Sequence, residues 1–533
     1  MKTLRNTLAL ILVGFLGGGC TFLDTEPQDF VSPGDYYNTQ EQVESALLGV
    51  YATLASTSLY GNNMLGRMGL CADLGYEHYA NDSGTVGYHA SAASDTKILT
   101  YWRDLYNGIG RANLLLANMD KAPMTEAARN AIRGQALFLR AYYYFLLVVR
   151  FQHIPLILEV PQSMKEDLQV PQSDPRKIYD QIIRDMKEAG ELVLPADKVE
   201  CGGRVSQSAV YGILARVCLN FAGEPLREPG MYAEAKRYAQ KVIDSGIHEL
   251  NPSYEQVFIN YMQDKYDIKE SIFEVEFFGN NVGTYTTTAG MVGRNNGIAL
   301  SSTSPMASEL GHSIGAIRAT EYFYSLFESE DLRRDWTIAP YTFISSTGAK
   351  SPIADTELWQ RYCGKFRREY EVLKPKSNAY TPTNFPLLRY SDVLLMYAEG
   401  VAGDESATDQ ELTYAYELLN QVRRRGYGRP DLTKADPTVD FEKDSRENLL
   451  EIIKDERARE LGHELLRKDD IVRWGEFYQR MKYIKNSIPT GPTYAFYLAA
   501  RESFGNVTPR DVLWPIPSYE MGVNRKLQQN KGW

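Results

Sequence analysis

The chain has 533 residues, a formal charge of −10 and 24% charged residues. Its length suffices for one large body or about two to four lobes, and its acidic balance excludes nucleic acid, which needs a basic surface. The distinctive count is 36 tyrosines beside 20 phenylalanines and 6 tryptophans; a flat apolar face with a polar tip suits half-wet surfaces, so the composition permits a saccharide binder, although tyrosines also pack between helices.

The N-terminus reads as a leader. Lys2 and Arg5 precede a short apolar run, Leu8 to Leu16, and Gly17 to Gly19 supply small residues before Cys20. The run matches an export-signal core and is too short for a bilayer span, which needs about 20 apolar residues. Cleavage before Cys20 would expose its thiol for acylation, and two acyl chains anchor a protein stably without a transmembrane helix. The arrangement resembles a bacterial lipoprotein signal, with Gly17 in place of the usual leucine. Losing Lys2 and Arg5 with the leader moves the charge from −10 to −12. The remaining cysteines, Cys71, Cys201, Cys218 and Cys363, form no CxxC pair, so no structural zinc site is expected.

Helical periodicity dominates the rest of the chain. Val43, Leu47, Val50 and Leu54 form one apolar line; Ile132, Ala136, Leu139, Tyr143 and Leu146 form another. Further helices are predicted over 97–118, 175–193, 206–222 and 231–245, the last stopped by Asp244-Ser245-Gly246. In the C-terminal half a helix is predicted over 387–402. The next carries a Thr408/Glu411 capping box and ends near Gly426 and Gly428, and a long charged helix spans 447–466. Small residues sit where helices would meet, which resembles tetratricopeptide-type pairing, and stacked pairs present a curved surface for holding another protein. Two irregular stretches, 60–96 and 278–312, are rich in Gly and Asn. Long loops on a rigid helical body carry function often enough to be candidate ligand loops.

Six segments, taken in order, resemble signatures of the SusD/RagB family of surface lipoproteins. They are CTFLDTEP from Cys20, GQALFLRAYYYFLLVVRFQHIPLIL from Gly134, SQSAVYGILARVCLNFAG from Ser206, RYSDVLLMYAEG from Arg389, IIKDERARELGHELLRKDDIVRWG from Ile452, and DVLWPIPSYEMGVNRKLQQNKGW from Asp511. The resemblance implies a mainly α fold. In it, tetratricopeptide-like helix pairs form a right-handed superhelical scaffold with long ligand-binding loops and few short strands. It implies a leader over 1–19, an N-terminal region over 20–225 and a C-terminal region over 226–533, within one body. It also implies a surface-exposed protein, lipid-anchored through Cys20 in the outer membrane. Such a protein binds an oligosaccharide, or in some members peptides, and delivers it as a lid to a SusC-like TonB-dependent transporter, with no cofactor and no catalysis.

Residue by residue, each motif has competing readings. HELLR at 463–467 begins like a zinc-protease motif, but Arg467 stands where the second histidine must be. Glu456, Glu460 and Glu464 are spaced i, i+4, i+8 among arginines; an acid–base pair is one reading and an ion-paired structural helix the other, which the resemblance favours. Trp102 and Trp514 are expected to be structural, and Trp336 and Trp359 fall in scaffold-like stretches. The ligand candidates mix rings for stacking with amides and a carboxylate for hydroxyls: Tyr76, Tyr79, Asn81, Asp82 and Tyr88, with His78 beside them, in the first irregular stretch, and Tyr285 and Asn295, with Asn296, in the second. Rival readings are a peptide binder of the same family, a surface glycoside hydrolase, which would need two carboxylates converging about 5–10 Å apart, and a helical scaffold that only holds a partner barrel.

Overall fold

Capping chemistry sets the helix boundaries. In the computed structural model, which describes residues 36–78, 86–160, 169–282, 289–491 and 494–533, helix α1 spans Gln40–Tyr51 behind a Thr39/Gln42 capping box. Helix α2 (Thr96–Asn118) starts at Asp95, whose carboxylate accepts from the Lys97 amide at 2.8 Å. Thr125 caps α3 (Glu126–Phe151), Asp174 caps α4 (Pro175–Leu192) with proline in the first turn, and Ser206 caps α5 (Gln207–Ala222). Each cap satisfies an amide the first turn would otherwise leave unpaired. Helix α6 covers Met231–Asp244 and α7 covers Tyr254–Met262.

The C-terminal half interleaves short strands with helices. Strand β1 (Gly75–Glu77) from the first irregular stretch joins β3 (Ile317–Ala319), β5 (Tyr362–Cys363) and β4 (Ile338–Ala339) in a sheet of order β1-β3-β5-β4. Strand β2 (Ser271–Val275) pairs antiparallel with β6 (Phe385–Arg389), which leads directly into α8 (Tyr390–Gly403). The helix predicted from residue 387 thus begins at 390, because Phe385–Arg389 is taken up in pairing. Helix α9 (Asp409–Gly426) shows the capping box: Glu411 Oε2 accepts from the Thr408 amide at 2.8 Å and Thr408 Oγ1 from the Glu411 amide at 3.2 Å. The longer helices that follow are α10 (Arg446–Leu461), α11 (Arg467–Arg473), α12 (Phe477–Ser487) and α13 (Ala495–Gly505), with several one-turn helices, among them Glu321–Ser325, between the numbered elements.

Helices pack on their chain neighbours from α2 through α6, and α8 lies against α6, α9 and α10. Small residues permit the closest approach. A Cβ on Gly400 of α8 would come within 2.7 Å of the Lys236 backbone nitrogen of α6. The main apolar cluster draws residues from Tyr37 to Leu527, so both halves of the chain share it. The fold is mainly helical, with tetratricopeptide-like pairs and few short strands. Among the described residues no helix is long and apolar enough to cross a membrane.

The charged helix is interior. Glu460 is fully buried and meets Arg425 at 2.6 Å, Arg389 at 2.8 Å and Arg333 at 3.3 Å. Glu456 meets Arg333 at 2.7 Å and Arg459 at 2.9 Å, and Glu464 meets Lys365 at 2.5 Å and Arg389 at 2.8 Å. These carboxylates hold guanidinium and ammonium groups from distant elements and tie α10 to β6 and α9. The helix stops at Leu461, five residues before the predicted 466, and His463 and Leu465 adopt left-handed backbone (φ 66° and 67°). HELLR is therefore a turn, and its histidine lies edge-on to Phe323 at 5.3 Å.

Candidate ligand face

Strand β1 carries the first irregular stretch, and a buried ion pair seats it. Asp73, two residues before β1, takes Arg467 of α11 at 2.7 Å, and its carbonyl accepts from the Thr320 hydroxyl at 2.7 Å. The strand is thus locked to the scaffold on one side and to β3 on the other. The 3-10 turn Val86–Tyr88 is pinned by α13, through Ser503 Oγ to the Gly87 carbonyl (3.2 Å) and Asn506 Nδ2 to the Tyr88 carbonyl (3.1 Å).

This seating corrects three of the sequence candidates. Tyr76 is fully buried; its hydroxyl donates to the Trp359 carbonyl at 2.8 Å and its ring lies 5.6 Å from Trp359 and 6.3 Å from Phe504. Tyr88 is buried in the same cluster, and burial pushes its phenol up. Asn295 is fully buried and donates to Asn62 Oδ1 at 2.7 Å, joining the second irregular stretch to the first. None of the three offers a ring or an amide to solvent; they are pillars under the loops, because aromatic and amide groups near a sheet gain more from packing and internal hydrogen bonds than from exposure. Tyr79, Asn81, Asp82, Tyr285 and Cys20 lie outside the described residues. Trp102, Trp336, Trp359 and Trp514 are all buried, as expected of structural residues. Asn296 is fully buried, with neither amide atom hydrogen-bonded to a described residue.

What faces outward beside β1 and the Val86–Tyr88 turn is a ridge on α13. Tyr494 at its N-cap is 64% exposed and Leu498, one turn on, is 51% exposed. The Tyr494 ring stacks on Phe496 (5.5 Å, 7° between planes), and the Arg318 guanidinium of β3 lies 6.0 Å from Phe496 and 4.3 Å from the Tyr362 ring. Arg318 donates to the Tyr362 hydroxyl at 3.2 Å and to the Gln360 carbonyl, and has no carboxylate partner among the described residues. His78, half-buried at the end of β1, donates its backbone amide to the Ala316 carbonyl at 2.8 Å. Burial, then the Arg318 charge, pushes its imidazole down to about 4, so it is neutral at pH 7. An exposed ring, Tyr494, backed by the buried Phe496 and a cation, with a neutral imidazole at the end of β1, can stack the C–H face of a sugar ring and hydrogen-bond its hydroxyls. The i, i+4 spacing of Tyr494 and Leu498 was visible in the sequence; what hid it was that only the packed partners of α13 show which face points out.

Among the described residues no group of three or more His, Cys, Asp or Glu side chains could hold a metal ion. The carboxylates Glu456 and Glu460 of α10, and Glu464 just beyond its end, are occupied by arginines and a lysine.

Residues 269–533 match the family described as the SusD family, and residues 21–219 match the one described as starch-binding associating with outer membrane. The chain belongs to the SusD family. It is 24% identical to SusD-like protein P2 of Formosa agariphila, over 99% of each chain. It is also similar to a solved SusD homolog from Bacteroides thetaiotaomicron (TM-score 0.84, 25% identity, 94% of this chain and 98% of that one). A structure titled laminarin binding SusD-like protein shares the fold at TM-score 0.71 and 24% identity, over 93% of this chain and 100% of the other.

Proposed function

We propose that this SusD-family chain captures oligosaccharides at the cell surface, held in the outer membrane by acyl chains on Cys20. It passes them to a SusC-like TonB-dependent transporter, over which it acts as a hinged lid. The observation that carries the reading is the outward stripe of Tyr494 and Leu498 on α13, the helix that packs against β1 and the Val86–Tyr88 turn. It supplies one exposed aromatic ring with an apolar neighbour, and Tyr79, Asn81, Asp82 and Tyr285 stay proposed as further ligand residues on sequence grounds alone. The laminarin-binding neighbour and the starch-binding family description support the ligand class. A lid must release its cargo, so the affinity suits the micromolar to millimolar range, about −8 to −4 kcal/mol.

The test is a glycan-array screen of residues 21–533 followed by calorimetry on the best saccharide. Tyr494→Ala should weaken binding about three- to tenfold, the worth of one lost stacking contact. Unchanged affinity in Tyr494→Ala removes the ridge from the site, and peptide binding without saccharide binding replaces the ligand class.

A further inference from the structure

A second cleft, sharing no lining residue with the α13 ridge, lies between α12 and the short helix Glu321–Ser325. It measures about 330 Å³ and is lined by Asp73, Tyr322, Glu476, Gln479, Arg480, Tyr483 and Ile484. That is the small end of the about 300–1,000 Å³ typical of ligand sites, room for one or two sugar rings. Its walls are two tyrosine rings set nearly at right angles, with centroids 6.0 Å apart and planes at 79°. Tyr483 is 63% exposed, and buried Ile484 forms the floor.

The polar groups are arranged for an uncharged partner. Asp73 is already taken by Arg467 at 2.7 Å; Glu476 is taken by Lys454 and Arg480, each at 2.6 Å. Glu451 also pairs with Lys454 at 2.6 Å, so three carboxylates meet three cations, and neither an anionic nor a cationic ligand would gain an unpaired charge. What remains is hydrogen-bonding capacity. The Tyr322 hydroxyl accepts from Arg480 Nη1 at 2.7 Å, so its lone pair is used while its own proton has no acceptor among the described residues. Burial pushes the Tyr322 phenol up, which keeps that proton in place at neutral pH. The Gln479 side chain stands exposed at the rim with no protein hydrogen bond among the described residues. Arg480 is fixed by Glu476 and by Tyr322, so the donor is aimed before any ligand arrives. A corner of two aromatic faces with one preset donor and one free amide complements a pyranose, which has an apolar C–H face and hydroxyls at its edge.

We infer that this cleft is a second saccharide subsite, taking a single neutral sugar unit against Tyr483 with a hydroxyl bound by Tyr322. It borrows the ligand class from the proposal above but not the location. The experiment is calorimetry of residues 21–533 with the array-selected saccharide, on the wild type and on Tyr483→Ala, Tyr322→Phe and Tyr494→Ala. Tyr483 is a surface residue and Tyr322→Phe keeps the ring, so neither change threatens folding. Tyr483→Ala should weaken binding about three- to tenfold, or remove one of two binding phases, and Tyr322→Phe should weaken it about two- to fivefold. Unchanged binding in both cleft variants, with loss in Tyr494→Ala, overturns the cleft and leaves the ridge. Loss in the cleft variants with none in Tyr494→Ala keeps the cleft and overturns the ridge. A wild type that binds no saccharide overturns both.

Discussion

Replacing Glu460 with glutamine keeps the shape of the α10 interior and removes one buried charge. In the wild type Arg333, Arg389, Arg425, Arg459 and Lys365 face Asp331, Glu456, Glu460, Glu464 and Glu270, one for one. Burial pushes the Glu460 carboxyl up, but Arg425, Arg389 and Arg333 outweigh it and hold the group well below the usual carboxylate range. Removing its charge leaves a surplus guanidinium in a region that water does not reach, and breaking a buried pair in this way costs about 3–5 kcal/mol. Glu451→Gln is the matched control: that carboxylate is 66% exposed and also pairs with a lysine, Lys454, at 2.6 Å, so its loss should cost under about 1 kcal/mol. Urea unfolding of residues 21–533, followed by far-ultraviolet circular dichroism, reads both. A Glu460→Gln loss no larger than that of Glu451→Gln would refute the reasoning, because it would mean the network is effectively solvated.

Three further outcomes are expected. Gly400→Ala should cost about 1–3 kcal/mol in the same urea assay, because the new methyl meets Lys236 backbone and α6 and α8 must separate. Burial, with Lys468 and Lys365 adding to it, pushes the imidazoles of His89 and His463 down to about 3, against about 6.5 in an unfolded chain. Between pH 6.5 and 3 the unfolded chain therefore takes up protons that the folded chain refuses. Stability is full above pH 6.5 and falls as pH drops, by about 2–3 kcal/mol per histidine at pH 4.5; the double variant His89→Leu/His463→Leu should lose less on going from pH 7 to 4.5, as read by melting temperature. Tyr76→Phe removes the hydrogen bond to the Trp359 carbonyl and should cost about 0.5–1.5 kcal/mol in stability, with saccharide affinity changed less than twofold by calorimetry, since the ring is a pillar and not a contact.

The helices were legible because their signals are local. Thr408 and Glu411 are three residues apart, and the cap they form needs nothing else. The readings that failed depend on partners far along the chain. Tyr76 looked like a loop tyrosine until Trp359, 283 residues away, was seen to receive its hydroxyl. By contrast, the ion-paired reading of Glu456, Glu460 and Glu464 agrees with the structure; what their spacing alone does not name is the partners, Arg333 and Arg389, which come from other elements. HELLR carried a helical motif's letters on a backbone that turns left-handed at His463 and Leu465, and side-chain identity gives no local signal for that. The ridge at Tyr494 and the cleft at Tyr483 went unread for the converse reason: an aromatic on a helix is a core residue or a surface platform according to what packs beside it.

Saccharide binding on outward aromatics of the α12–α13 end, and not on the buried tyrosines, is tested most directly by a crystal structure of residues 21–533 with the tightest saccharide from the array. The expected result is sugar rings against Tyr494 or Tyr483, with Tyr76 and Tyr88 still enclosed. Sugar bound in the curve of the α2–α6 helix pairs, or Tyr76 and Tyr88 swung out to stack on it, would contradict that placement.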